Sequence, residues 1–174
     1  ILMGEKRWSN KKLVSLAMLI ALQVVLSRLF SINAWNIRIG LGFIPMLFSA
    51  LYFGTAESVL VAALADIIGS LAFSTYPYFP GYTLSISLSA FLFATVLKRN
   101  RGSFFILLAV FLSQSICSLG LNSLWISLNS GSPLLPIMMT RVVQVLINGS
   151  MQFFTIKFMV FYLEKKISLQ ELKS

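Results

Sequence analysis

The chain has 174 residues, of which 57% are hydrophobic and 11% charged, and its net charge is +9. A soluble domain is about 45–50% apolar and about 25% charged, and mean hydropathy here is +0.87. A soluble enzyme, a disordered tail and a nucleic-acid-binding domain are thereby excluded, because a small globule leaves too much surface in water to hide this much apolar area.

A helix needs about 20 mostly apolar residues to cross a hydrocarbon core about 30 Å thick. Six stretches approach that length, at about 13–32, 39–53, 56–73, 82–97, 104–125 and 135–163. The second is short. Loops between them are brief and no internal repeat stands out. The expected fold is therefore an all-α membrane protein, a bundle of six transmembrane helices forming a single integral membrane domain over 1–174.

Charge sets the expected orientation. Lys6, Arg7, Lys11 and Lys12 precede the first span, Lys98, Arg99 and Arg101 separate the fourth from the fifth, and Lys165, Lys166 and Lys173 follow the sixth. With six spans these clusters share one side, while the opposite loops 74–81 and 126–133 carry no charge. The positive-inside rule then makes both termini cytoplasmic. Trp8, Tyr52 and Tyr162 fall at the inner interface, and Trp35, Tyr76, Tyr78 and Trp125 at the outer one.

The remaining basic residues are Arg28, Arg38, Arg141 and Lys157. The three arginines reach the same outer level from distant positions. Charge within a membrane is costly and usually faces a bundle interior, and the planar guanidinium suits carboxylates. Snorkelling to headgroups is the competing role, and it is the expected one for Lys157. Asp66 is the one acid in the middle of a span; its options are a buried ion pair, a packing hydrogen bond or a ligand contact. Glu57 opens the third helix and suits its dipole. Asn122 closes the fifth span. Arg141, Gln144 and Asn148 share one face of the sixth, as helix glue or as the wall of a polar pocket. Ala17 and Ala21 form a small-xxx-small pair.

The chemistry is further bounded by absences in the sequence. There is no histidine and one cysteine, Cys117, so neither a histidine base nor an intrachain disulfide is available. No paired carboxylates and no Gly-xxxx-Gly-Lys-Ser/Thr phosphate loop occur. No enzyme activity, no metal site and no ATP use by this chain itself are expected.

The segment Tyr78-Phe79-Pro80-Gly81-Tyr82-Thr83-Leu84-Ser85 resembles the aromatic-Phe-Pro-Gly-aromatic-Thr-Leu-Ser signature of the substrate-binding components of energy-coupling factor (ECF) vitamin transporters, and of their folate group in particular. Residues 39–45 (Ile-Gly-Leu-Gly-Phe-Ile-Pro), the Ala65-Asp66-Ile67-Ile68-Gly69 run, Asn122-Ser123-Leu124-Trp125 and Arg141 extend the likeness over about 13–163. One stretch departs from it: Ser74-Thr75-Tyr76-Pro77 stands where members often carry Pro-Thr-Gly.

The resemblance implies a vitamin pocket at the outer face, closed by extracellular loops. It implies as partners a transmembrane coupling protein, docked through Ala17 and Ala21, and two ATPase subunits that use ATP. The setting is the prokaryotic cell membrane. Folate is the expected substrate; pantothenate, hydroxymethylpyrimidine or pyridoxine on the same scaffold is the alternative, and a solitary secondary carrier a further one. Trp35, Phe43, Tyr78, Phe79 and Tyr82 can stack a planar ring, and Arg28, Arg38 or Arg141 can neutralise a carboxylate. Asp66 or Asn122 can bond a heterocycle edge, with Thr83 and Gln144 completing the candidate site.

Overall fold

The computed structural model describes residues 9–34, 37–73 and 78–171. Seven α-helices and one short hairpin follow in chain order: α1 (Asn10–Arg28), β1 (Ser31–Ala34), β2 (Ile37–Gly40), α2 (Phe43–Tyr52), α3 (Thr55–Phe73), α4 (Pro80–Arg99), α5 (Ser103–Leu112), a π-helical segment (Ser113–Leu121), α6 (Asn122–Ser130) and α7 (Leu134–Glu171). The α5, π and α6 pieces form one continuous apolar stretch, Ser103–Ser130. Five helical stretches among the described residues are long and apolar enough to cross a membrane.

The second expected span is corrected. The helix α2 has only 10 residues, about 15 Å at 1.5 Å per residue, which is half the thickness of a hydrocarbon core. Ile39 and Gly40, placed by sequence in that span, belong instead to β2. Likewise Ser31 and Ile32, expected in the first span, lie in β1, beyond the end of α1 at Arg28. The bundle is thus not purely helical. Its hairpin pairs Ile32 with Ile39 and Asn33 with Arg38 in antiparallel register, an alternation of apolar and polar residues with the period of a strand. The strand β2 packs against α7.

The helices α1 and α3 run side by side in the same direction. Lys12 pairs with Glu57 where both begin, and Arg28 reaches Ser70 where both end. The helix α4 returns antiparallel to α3 and makes with it the most extensive helix pairing in the bundle. A dry core of Met46, Leu47, Ala62, Ala90, Phe93, Leu97, Ile106, Ala109, Val110, Ile156 and Val160 draws on α2, α3, α4, α5 and α7. It fills the end of the bundle that carries Lys98, Arg99 and Arg101. Large apolar side chains such as Leu71, Phe104, Met139, Phe154 and Phe158 are exposed, as expected of surfaces solvated by lipid rather than water. Tyr52 and Tyr162 are exposed towards the basic end. Lys6, Arg7, Trp8, Trp35, Ser74, Thr75, Tyr76, Pro77 and Lys173 lie outside the described residues.

Candidate functional site

The opposite end of the bundle is hollow. A cavity of about 880 Å³ is lined by the C-terminal halves of α1 and α3, the N-terminal halves of α4 and α7, and the π segment with α6. Binding sites for small molecules span about 300–1,000 Å³. Of the residues expected at a site, Arg28, Phe43, Asp66, Tyr78, Phe79, Tyr82, Asn122, Arg141 and Gln144 all line this cavity. Trp35 lies outside the described residues, and of Arg38 only the backbone, in β2, is described. Thr83 is not on the cavity wall but stands behind it, bonded to a residue that is.

Arg28, Asp66, Thr83 and Tyr78 form a chain of contacts across three helices. Arg28 Nη2 donates to Ser70 Oγ at 2.7 Å and stands 3.5 Å from Asp66 Oδ1. Thr83 donates to Asp66 Oδ2 at 2.8 Å. The hydroxyls of Tyr78 and Thr83 are 2.9 Å apart. Of the options open for Asp66, the structure shows the ion pair and the hydrogen bond together, at the cavity wall. Gly69 makes room for this arrangement: a Cβ there would sit 2.8 Å from Arg28 Nε.

Arg141 is isolated by comparison. It is 4% exposed, and its Nε and Nη1 have no hydrogen-bond partner among the described residues. About three turns of α7 separate it from Gln152 at the deep end of the cavity. A buried guanidinium costs free energy unless something pairs with it, and the cavity it lines is where a pairing group can come from. Lys157 is exposed, with its ammonium 5.9 Å from the Phe153 ring centre, in keeping with snorkelling.

The aromatic rim is built on Pro80, which starts α4 where a proline costs no helix hydrogen bond. Phe79 packs edge-on to Tyr82, 5.8 Å between centres, and lies 5.6 Å from Trp125. Trp125 is half-buried, with its indole N–H donating to Ser85 Oγ at 3.0 Å. Gly81 permits this stacking, since a Cβ there would lie 2.4 Å from Phe79 Cε1 and 2.7 Å from Trp125 Cδ2.

Sequence reasoning missed the polar floor. Gln23, Ser89, Ser113, Gln114 and Gln152 line the deep end, where Ser113 donates to Ser89 at 3.0 Å and Gln114 to Gln152 at 2.9 Å. A usable signal was the spacing: Gln23 and Ser27, and Ser85 and Ser89, are each four apart on one helix face. Ala17 and Ala21 are remote from the cavity, exposed on α1 beside Met18 and Leu22.

Together the bundle and its cavity define a membrane-embedded protein that holds a small molecule at one end. Residues 11–167 match the family model for the substrate-specific component of ECF transporters, and the chain belongs to that family. It is similar to the "Folate transporter FolT" of Clostridium novyi (strain NT), with 32% identity over 133 residues that cover 76% of this chain and 77% of that protein. The protein of the same description from Leuconostoc mesenteroides subsp. mesenteroides is 33% identical over 119 residues, 67% of this chain and 64% of its own length. A solved structure described as "Crystal structure of FolT bound with folic acid" superposes with a TM-score of 0.81 at 27% identity, covering 87% of this chain and 93% of that one.

Proposed function

We propose that this chain is the folate-binding subunit of an ATP-driven ECF transporter, taking folate at the outer face of a prokaryotic cell membrane. The observation that carries the reading is Arg141, buried in the cavity with unpartnered N–H groups, in a chain whose relatives are described as folate transporters. Folate has a flat, amino-substituted pterin at one end and a glutamate at the other. Arg141 and Arg28 suit the glutamate carboxylates, with Arg38 a third candidate. Phe43, Tyr78, Phe79 and Tyr82 suit the face of a ring system, with Trp35 as a further candidate. Asn122 and Gln144 supply polar contacts, and Asp66 with Thr83 holds Arg28 in place.

The chain acts as a binder and not as an enzyme. Both termini face the cytoplasm, so that the cavity opens outward. ATP is hydrolysed by two partner ATPases, and a transmembrane coupling protein docks on the exposed α1 face at Ala17 and Ala21. Small side chains there let a partner helix approach closely.

A panel of dissociation constants on the purified chain tests this reading. Folic acid binding at least about a hundred-fold tighter than pantothenate, hydroxymethylpyrimidine or pyridoxine supports it, a gap of about 2.7 kcal/mol. Tighter binding of one of the other three overturns it in favour of that substrate. Uptake into liposomes by this chain alone would instead support a solitary carrier.

A further inference from the structure

The turn between α4 and α5, at the end of the bundle away from the cavity, concentrates positive charge. A surface pocket there is lined by Lys98, Arg99, Asn100, Arg101 and Gly102. Lys98 and Arg99 are exposed and Arg101 is half-buried. None of the three forms an ion pair among the described residues. Among the described side chains the acid at this end is Glu57, and it is paired with Lys12. Asn100 brings no negative charge, and its side-chain oxygen already accepts the N–H of Gly102 at 2.9 Å.

Orientation in the membrane accounts for part of this charge. Lys98 and Arg99 also sit in the last turn of α4, where a cation suits the negative pole of the helix. Arg101 is placed differently. It precedes α5, whose N-cap Gly102 supplies no side-chain hydrogen bond, so its guanidinium stands near the positive pole of a helix. An anion at the turn relieves both positive groups, whereas an orientation signal requires no such placement. The two helices pack against each other and lead away from the turn with apolar faces. Phe104, Leu107, Leu108 and Phe111 are exposed and share one face of the α5 stretch. On α4, Phe91 and Thr95 are exposed one and two turns before Lys98 and Arg99.

We infer that the α4–α5 turn is a binding site for an anionic phospholipid, with the headgroup phosphate at Lys98, Arg99 and Arg101 and the acyl chains along the exposed faces of α4 and α5. The two guanidinium groups offer planar forks for phosphate oxygens, and Lys98 adds a point charge. Charge selects the phosphate, and the apolar faces select a lipid over a soluble phosphate ester. Each Lys or Arg near a membrane surface favours anionic headgroups by about five-fold, so three together can discriminate a net negative lipid from a zwitterionic one. The site is independent of which vitamin fills the cavity.

The test titrates the detergent-purified chain with phosphatidylglycerol, with phosphatidylcholine of the same acyl chains, and with chain-free glycerophosphoglycerol, counting bound species by native mass spectrometry. The wild type should bind phosphatidylglycerol about ten-fold or more tighter than phosphatidylcholine, and glycerophosphoglycerol more weakly than phosphatidylglycerol. Replacing the cluster by K98Q, R99Q and R101Q together should bring the ratio of the two lipids close to one. A control with K11Q, K157Q and K165Q removes the same charge elsewhere and should keep the preference. Thermal melting of both triple variants checks that they are folded. Equal wild-type affinities for the two lipids overturn the inference without recourse to any variant, and leave the turn to an acidic face of a partner protein. Equal loss of preference in both triple variants overturns it in favour of net charge alone. Binding of glycerophosphoglycerol as tight as that of phosphatidylglycerol overturns it in favour of a soluble phosphate ester.

Discussion

Arg28 and Asp66 meet between α1 and α3, with Nη2 3.5 Å from Oδ1. Each side chain is 13% exposed, so neither charge is fully hydrated and neither is fully dry. Breaking a buried pair by removing one partner leaves an uncompensated charge, at a cost of about 3–5 kcal/mol for a fully buried pair. The cost here is smaller because the cavity admits solvent. Asp66→Ala should lower the melting temperature in detergent, and Arg28→Ala combined with it should recover part of the loss. Strictly additive effects in a double-mutant cycle would show that the two residues are not coupled.

Gly69 separates ligand affinity from stability. In a helix interior alanine is favoured over glycine by about 0.5–1 kcal/mol, and the atom met by a new Cβ is Nε of a flexible arginine. Gly69→Ala should therefore change the melting temperature of the empty protein little, the helix gain offsetting the disturbed Arg28–Asp66 contact, while displacing Arg28 and weakening folic acid binding several-fold. Unchanged affinity would mean that the position of Arg28 is immaterial to the ligand.

Arg141→Ala should weaken folic acid binding by ten-fold or more, since hydrogen bonds to charged groups contribute about 1.5–3 kcal/mol. The empty protein should not be destabilised, because the substitution removes a buried cation that lacks partners for two of its nitrogens. Arg141→Lys should restore little, as a point charge cannot reproduce the planar fork. Titration calorimetry with thermal melting of the same samples separates the two effects.

Gly81→Ala should act in the opposite way to Gly69→Ala. The atoms met by its Cβ belong to the rings of Phe79 and Trp125, which cannot yield without moving α4 against α6. Overpacking of this kind costs about 1–3 kcal/mol. A melting temperature at or above the wild-type value would contradict the packing described for the rim.

Ala17→Leu with Ala21→Leu should spare folic acid binding and impair uptake by the assembled transporter. Both positions are exposed on α1 and distant from the cavity. Wild-type uptake by the double variant would remove α1 as the docking face.

The long apolar spans were legible in the sequence because lipid permits few alternatives to a helix. The charged and aromatic parts of the cavity were legible for a related reason: Arg141 and Asp66 are conspicuous in an apolar background. The hairpin was harder to see, since strands of four residues fit inside the ends of two apolar runs. Its period-two alternation at Ile37, Arg38 and Ile39 was nevertheless present. The π segment leaves no pattern in Ser113–Leu121, because one extra residue per turn is a matter of packing against α4 and α7. The floor was hidden for the same reason. Serine and glutamine are ordinary residues of a membrane helix until the fold turns Gln23, Gln114 and Gln152 towards a common space.

The most direct measurement is to identify the small molecule that copurifies with the chain expressed in folate-replete cells, by mass spectrometry of the denatured protein. Release of folate or a reduced folate in near-stoichiometric amount is the predicted result, reduced sharply in Arg141→Ala. Release of a different vitamin from the wild type would contradict the account.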